Sequence, residues 1–375
     1  VTWLKTANVL TMAEKTFVCP ELGGKRQPFP SVMDEPSVYV SLIVPSYKEE
    51  ERLPRMLDET LVYLQRRQRR DAGFTFEVVI VDDGSGDGTT TCALKFVHQY
   101  TSNVVRVLTL RQNRGKGFAV KTGMQHARGQ LLLMVDADGA TRIADLENLE
   151  ARLRQVQQVW LAAKASNQPG IINGDCAIAI GSRAPPQALY QQDAVVVQRD
   201  GDRSLVSNLF RLLRRLLMPT EGLDLGGMNG GVGVEQEGRA LQDTQCGFKL
   251  FTRGAAQLLF NNQHLDRWAF DVELMYLAKQ LQLPVVEVPV TWSEVDGSKL
   301  SMVRDGIRMA IDMLIARVLY VTGVQIPASC LRRPMCMFQG VRFLRAADRL
   351  TDWCVYCLQV WQIERLSLSR AFDGS

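Results

Sequence analysis

The first 140 residues alternate two kinds of segment, and that alternation constrains the fold more than any other feature of the chain. Apolar, β-branched runs occur at VYVSLIVPS (38–46), FEVVIVDDGS (76–85), VVRVLTL (104–110) and LLLMVDADG (131–139). Runs this continuous suit strands buried on both faces, the condition of a parallel sheet. Between them lie helical segments. EEERLPRMLDETLVYLQRRQRR (49–70) sets Leu53, Leu57, Leu61 and Leu64 on one face, TTTCALKFVHQY (89–100) follows, and another helix runs through VKTGMQHA (120–127). Strands alternating with helices at this spacing form βαβ units. The expected fold class is therefore α/β, a Rossmann-like and mainly parallel sheet flanked by helices. In such a sheet ligands sit at the carboxyl ends of the strands. Pro45, Asp82, Asp83, Asp136 and Asp138 all fall at those ends.

Beyond this core the pattern is less regular. Residues 1–37 form an arm, with GGKRQPFP as its turn-rich part, expected to lie over the body or to be partly mobile. CAIAIGSRA (176–184) reads as a further strand, and RSLVSNLFRLLRRLLMP (203–219) as a basic amphipathic helix. GLDLGGMNGGVGVEQEG (222–238) is a glycine-rich insertion with no strand leading into it, so it is no nucleotide fingerprint. Residues 268–283 are helical, LPVVEVPVTW (283–292) is extended, and DGIRMAIDMLIARVLYVTG (305–323) is another amphipathic helix. The expected organisation is an arm (1–37), a catalytic domain (38–325) and a C-terminal extension (326–375).

Composition narrows the class. The 375 residues are 46% hydrophobic and 22% charged, a folded-protein balance. A net charge of +4, with no recognition helix or zinc finger, argues against nucleic acid as a partner. The eight cysteines are too scattered for a secreted scaffold and read as reduced thiols facing the cytosol. The isolated C-V-Y-C pair at Cys354 and Cys357 could bind metal or exchange disulfides. No segment reaches about 18 uninterrupted apolar residues, the length of a transmembrane helix.

Several constellations carry chemistry. In extended backbone Asp136 and Asp138 point the same way while Ala137 turns back to the body. A turn at Gly139 would bring both carboxylates to one hard cation, Mg²⁺ or Mn²⁺. The plain alternative is an Asp-rich turn with Asp138 capping a helix. VDDGSGDGTT (81–90) offers Asp82 or Asp83 to a base or ribose hydroxyl, or else is an ordinary capped turn. RQNRGKGFAVKTG (111–123) sets Arg114 and Lys116 at a helix N-terminus, an anion site or merely exposed charge. DRWAFDVELMYLAKQ (266–280) offers Trp268 to a sugar ring or to the core, and its Asp271 and Glu273 need not face together. In WSEVDGSKL (292–300), Lys299 lies on a loop that could close over a diphosphate, or on a plain surface turn. Carboxylates for a metal beside bases for phosphates describe a nucleotide-diphosphate site.

Taken in order, SLIVPSYKEEERLP, VVIVDDGSGDGT, NRGKGFAVKTGM, LLLMVDADGAT, AIGSR, DTQCGFKLF, RWAFDVEL and EVPVTWSEVDGSKL resemble the inverting family 2 glycosyltransferases of the GT-A fold. DTQCGFKLF with RWAFDVEL is similar to the branch that glucosylates a polyprenyl phosphate. The resemblance covers residues 38–325 and implies a UDP-glucose donor, a dolichyl phosphate acceptor, a membrane surface and a Mg²⁺ or Mn²⁺ cofactor. It implies a location at the endoplasmic reticulum membrane with catalysis facing the cytosol. It also implies roles. Pro45, Tyr47, Glu49 and Asp83 would frame the uridine, with Asp82 on the same edge. Arg114 and Lys116 would lie near base and diphosphate. Asp136 and Asp138 would hold the metal, and Arg267, Trp268 and Asp271 would shape the sugar pocket. Arg183 would meet the lipid phosphate, Asp243 would sit near the acceptor, and Lys299 would act from a lid loop. A phosphate acceptor is already largely dianionic at neutral pH. Asp243 is therefore expected to position or tune the site rather than to abstract an obligatory proton. Helices 203–219, with Arg211, Arg214 and Arg215, and 305–323 suit an interface plane, or else core packing. The resemblance further implies an N-terminal membrane-spanning helix. The chain begins at Val1 rather than Met, which leaves room for an anchor ahead of it. A mannosyltransferase of polyprenyl phosphate and a non-catalytic nucleotide-sugar binder stay open as alternatives. A dinucleotide dehydrogenase does not, because no G-x-G-x-x-G follows the first strand.

Overall fold

The computed structural model describes residues 10–165, 176–183, 241–295 and 302–321. The segments 203–219, 222–238 and 326–375, with Cys354, Cys357 and Lys299, lie outside the described residues. Two compact units divide the chain. Val1–Arg317 holds the sheet, and only four residues of Val318–Ser375 are described.

From residue 10 on, the arm is built into the body. Its hairpin pairs β1 (Thr16–Cys19) with β2 (Lys25–Pro28), antiparallel. Leu10, Phe17 and Phe29 pack against Leu108, Leu110 and Phe118. The main elements follow as β3 (Val38–Ser46), α1 (Leu53–Arg70), β4 (Phe76–Asp82), α2 (Thr89–Tyr100), β5 (Val105–Thr109), α3 (Lys116–Gln125), β6 (Gly129–Val135) and α4 (Leu146–Ala165). Then come β7 (Ile178–Ser182), β8 (Phe248–Thr252), α5 (Arg253–Asn262), α6 (Phe270–Gln280), β9 (Val285–Pro289) and α7 (Met302–Val321). The seven-stranded sheet has the order β5-β4-β3-β6-β8-β7-β9. Only β8 runs against its neighbours, β6 and β7.

Burial explains the sheet. Every residue of β4 is buried, and Val40, Leu42, Val44, Val78 and Ile80 share one core with α1. Helix α1 enters with a proline in its first turn and ends on Arg67, Arg69 and Arg70, which suit its negative C-terminal dipole. It buries Leu53, Leu57, Leu61 and Leu64, the face that the spacing indicates. Each such leucine contributes about 1.5–3 kcal/mol. Helix α3 begins at Lys116, earlier than the apolar pattern suggests.

Topology then fixes where a ligand can go. Strand β3 neighbours β4 on one side and β6 on the other, so the chain reverses its winding there. Pairing of β3 with β6 stops at Ile43, while pairing with β4 runs on through Pro45 to Ser46. β3 and β6 therefore part after Ile43, and Pro45, with no N–H to offer, lies beyond that point on β3. That parting is a crevice at a topological switch point.

Candidate active site

Strands β3, β4, β6, β7 and β9 end on one edge, and antiparallel β8 begins there. The loops on that edge carry most of the charge. Asp82 is fully buried, and its oxygens accept Ser85 N–H at 3.0 Å and the Thr90 hydroxyl. It holds the turn together. Asp83 accepts two N–H groups, from Arg114 at 2.7 Å and from Gly115 at 2.8 Å. Burial pushes its carboxyl up to about 6, against those bonds and the Arg267 charge. Asp83 therefore ties the loop after β4 to the loop before α3. The Arg114 guanidinium turns the other way, over the Phe118 ring at 4.6 Å and 3.7 Å from Glu14. Its backbone, not its side chain, reaches the Asp83 carboxylate. Tyr47 is half-buried under the Lys48 ammonium, and buried Glu49 grips Arg52 through two bonds of 2.7 and 2.8 Å.

After β6, Ala137 is buried and Asp136 and Asp138 are not, as strand alternation requires. The chain then turns at Gly139, with φ +73°, and Asp138 accepts Ala140 N–H at 3.0 Å. The Lys116 ammonium stands 2.6 Å from Asp136 Oδ1 and 5.7 Å from the Trp268 ring centre. Burial alone would lower the Lys116 pKa, but Asp136 and Asp271 outweigh it and raise it. Behind this pair, Asp271 bonds the ammonium of Lys249, a lysine wholly buried in β8 that also donates to Cys246 C=O at 2.6 Å. Gly247 lets this layer close. A Cβ there would lie 2.0 Å from Asp136 Oδ2.

On the far side of β8, Arg183 grips Asp243 with a fork of 2.6 and 2.8 Å, and its N–H adds a third bond of 3.1 Å. Burial would raise Asp243, but Arg183 holds its carboxyl below the usual range. Glu287 of β9 fixes this turn by accepting Gln242 N–H and Asp243 N–H, both at 2.8 Å. The Trp292 ring lies 5.7 Å from the Arg183 guanidinium. Glu273 faces elsewhere on α6 and accepts His264 and Leu265 N–H groups.

Four carboxylates at this edge have a cation each: Glu49–Arg52, Asp136–Lys116, Asp243–Arg183 and Asp271–Lys249. Asp138 has no ion partner among the described residues, and burial and the Asp136 charge raise its pKa. Asp82 and Asp83 at the same edge also have no ion pair among the described residues, but their oxygens are taken by Ser85, Thr90, Arg114 and Gly115. Among the described residues no three His, Cys, Asp or Glu side chains converge as a metal cage. Two carboxylates alone suit a cation that takes its other ligands from phosphate oxygens and water.

Sequence reasoning passed over Lys249, Glu287 and Arg52 as site residues. A lysine inside the apolar run FKLFT was the available signal, since a lysine that deep needs a carboxylate. Arg183 and Asp243 come together as a pair. So do Lys116, Asp136 and Trp268, while the side chain of Arg114 leaves the group.

The model of glycosyl transferase family 2 matches residues 41–170. The chain belongs to that family, and it is closely related to dolichyl-phosphate beta-glucosyltransferases. It is 42% identical to the one from Homo sapiens over 300 residues, 80% of this chain and 81% of that protein. The same identity and shares hold for the Mus musculus protein. The Drosophila melanogaster protein is 41% identical over 310 residues, 83% of each chain.

Proposed function

We propose that this chain transfers glucose from UDP-glucose to dolichyl phosphate with inversion, giving dolichyl β-D-glucosyl phosphate and UDP. The observation that carries the reading is the pattern of charge at the strand ends: Asp136 paired with Lys116, Asp138 with no ion pair among the described residues, and cations on either side. The names of the relatives supply the glucose and the dolichyl phosphate. Asp83 and the loop 111–115 hold the uridine end, with Pro45, Tyr47 and Glu49 along the same rim. Lys116 lies where the diphosphate arrives. Arg267 and Trp268 bound the sugar, with buried Asp271 behind them on Lys249 rather than at the pocket surface. Asp136 and Asp138 would hold Mg²⁺ or Mn²⁺, which when bound offsets charge on the departing UDP.

The reaction needs little proton chemistry. A phosphate oxygen of the lipid attacks glucose C1 on the face opposite UDP, the C1–oxygen bond to UDP breaks, and the α donor gives a β product. The acceptor, with a second pKa near 6, is already charged. Asp243, held ionised by Arg183, orients that guanidinium toward an incoming phosphate. Lys299 is assigned to the lid by sequence alone.

A lipid acceptor places the enzyme at a membrane surface, that of the endoplasmic reticulum facing the cytosol. Ile307 and Leu314, two turns apart on α7, are 58% and 51% exposed, and support an apolar contact there. Among the described residues no helix is long and apolar enough to cross a membrane. Calorimetric titration with UDP-glucose and GDP-mannose, each with Mn²⁺ and with EDTA, tests the donor. Tight binding of UDP-glucose that needs Mn²⁺ is expected. Preference for GDP-mannose would move the chain to the mannose branch.

A further inference from the structure

The family domain begins at residue 41, yet the arm before it reaches the loop that binds Asp83. Glu14 is 2% exposed. Its Oε2 accepts the Thr11 N–H and hydroxyl, both at 2.7 Å, and its Oε1 accepts Arg111 N–H at 3.0 Å. The same Oε1 stands 3.7 Å from the Arg114 guanidinium. Nε and Nη1 of Arg114 are buried with no hydrogen-bond partner among the described residues. Charge from Glu14 and the face of Phe118 therefore hold this guanidinium outward. The N–H groups of Arg114 and Gly115 then point inward, to Asp83.

The loop 111–115 is thus pinned from two sides, by Asp83 and by Glu14. It cannot drift toward the loop after β4. Gly84 sits at φ +69°, and even a Cβ there would lie 2.4 Å from the Gln112 carbonyl carbon. The arm that carries Glu14 is itself anchored. Val32 N–H donates to Gln125 C=O at 2.8 Å, and Arg253 donates to Ser31 C=O at 3.2 Å and Asp34 C=O at 2.6 Å.

We propose that Glu14 is a positioning residue of the donor site, setting the loop 111–115 and with it the Asp83 carboxylate in the arrangement that binds a nucleoside diphosphate. The proposal rests on the reading of this crevice as a UDP site. Glu14 touches no substrate. Both of its oxygens accept, and its charge fixes Arg114, which a glutamine cannot do. Without it the loop spends less time competent, and apparent affinity falls by that fraction.

The test uses the full chain with Glu14→Ala and Glu14→Gln. UDP with Mg²⁺ is titrated by calorimetry, KM and kcat are measured with UDP-glucose, and amide exchange is followed with and without UDP. In Glu14→Ala the UDP Kd and the UDP-glucose KM should rise about tenfold. The kcat should stay within about twofold. Exchange should quicken at 111–115 but not in β4 or α3, and saturating UDP should restore it. Glu14→Gln should fall between, and carries the test if the alanine variant does not fold. Unchanged affinity and exchange would overturn the proposal. So would a parallel loss of kcat with faster exchange through β5 and α3, which would make Glu14 a fold residue only. A wild-type chain that binds no UDP would reject the donor site itself, a result distinct from either.

Discussion

Asp243→Asn separates positioning from base catalysis. In the structure Arg183 grips Asp243 at 2.6 and 2.8 Å, and the two side chains are 28% and 14% exposed. The pair holds the Asp243 carboxyl below its ordinary pKa. A general base works best with a pKa near the operating pH, so Asp243 is tuned the wrong way for that task. Removing its charge leaves Arg183 without a counterion. Breaking a buried pair costs about 3–5 kcal/mol, and the partial exposure of Arg183 reduces the expected loss to about 2–3 kcal/mol. Loss of an obligatory base would slow transfer by about 10²–10⁴. The acceptor phosphate needs no such base, so the expected loss of kcat is about tenfold or less. Asp138→Asn, which removes the unpaired carboxylate, should cost about 10²–10³. Denaturant unfolding and kcat/KM profiles over about pH 5.5–9 measure both variants. With UDP-glucose saturating, so that Asp83 does not limit donor binding, the wild-type fall in kcat/KM for the acceptor toward acid pH belongs to the phosphate, with its second pKa near 6, and should persist in Asp243→Asn. If Asp243→Asn loses as much as Asp138→Asn and its acid limb disappears, Asp243 is an obligatory base and not a positioning residue.

Three further outcomes are expected. Gly247→Ala would put a methyl 2.0 Å from Asp136 Oδ2, so Mn²⁺ binding in a direct titration should weaken at least about tenfold while the circular dichroism spectrum holds. Lys249→Met strands a buried Asp271 and should cost about 3–5 kcal/mol in denaturant unfolding, whereas adding Asp271→Leu should recover most of the stability but not UDP-glucose binding. Asp83 titrates near 6 in the folded chain and near 3.9 unfolded, so the folded state holds the extra proton. Its contribution to stability is fullest below about pH 4 and is lost as pH rises through about 6. Unfolding free energies at pH 5 and 7.5 should show that slope, and Asp83→Asn should flatten it. UDP affinity should run the opposite way, rising with pH as Asp83 ionises to accept both N–H groups.

What the sequence reveals and what it conceals divide along physical lines. The strands that form the crevice were legible because β3 and β4 are continuous apolar runs, and the outward pair Asp136 and Asp138 because strand alternation is local. The partners of those charges were not legible. Lys249 finds Asp271 22 positions away, and Glu14 finds Arg111 97 positions away, separations that only the folded sheet brings together. Arg114 misled for a related reason. Its place before a helix suggested a phosphate, but a carboxylate from the arm and the Phe118 ring claimed its side chain. The antiparallel β8 was also missed, since a lysine in FKLFT interrupts an otherwise apolar run. Residues 203–219, expected to be helical, and Lys299 lie outside the described residues.

On the proposed function, the carboxylates after β6 serve glucose transfer to a lipid phosphate. One radiolabel assay tests it most directly: UDP-glucose labelled in the sugar, dolichyl phosphate and Mn²⁺, with the wild-type chain, Asp138→Asn, and wild type in EDTA. An organic-extractable, acid-labile glucose product is expected from the wild type alone. A product that survives both EDTA and Asp138→Asn would contradict the role given to the carboxylate pair. Label transferred from GDP-mannose but not from UDP-glucose would contradict the donor.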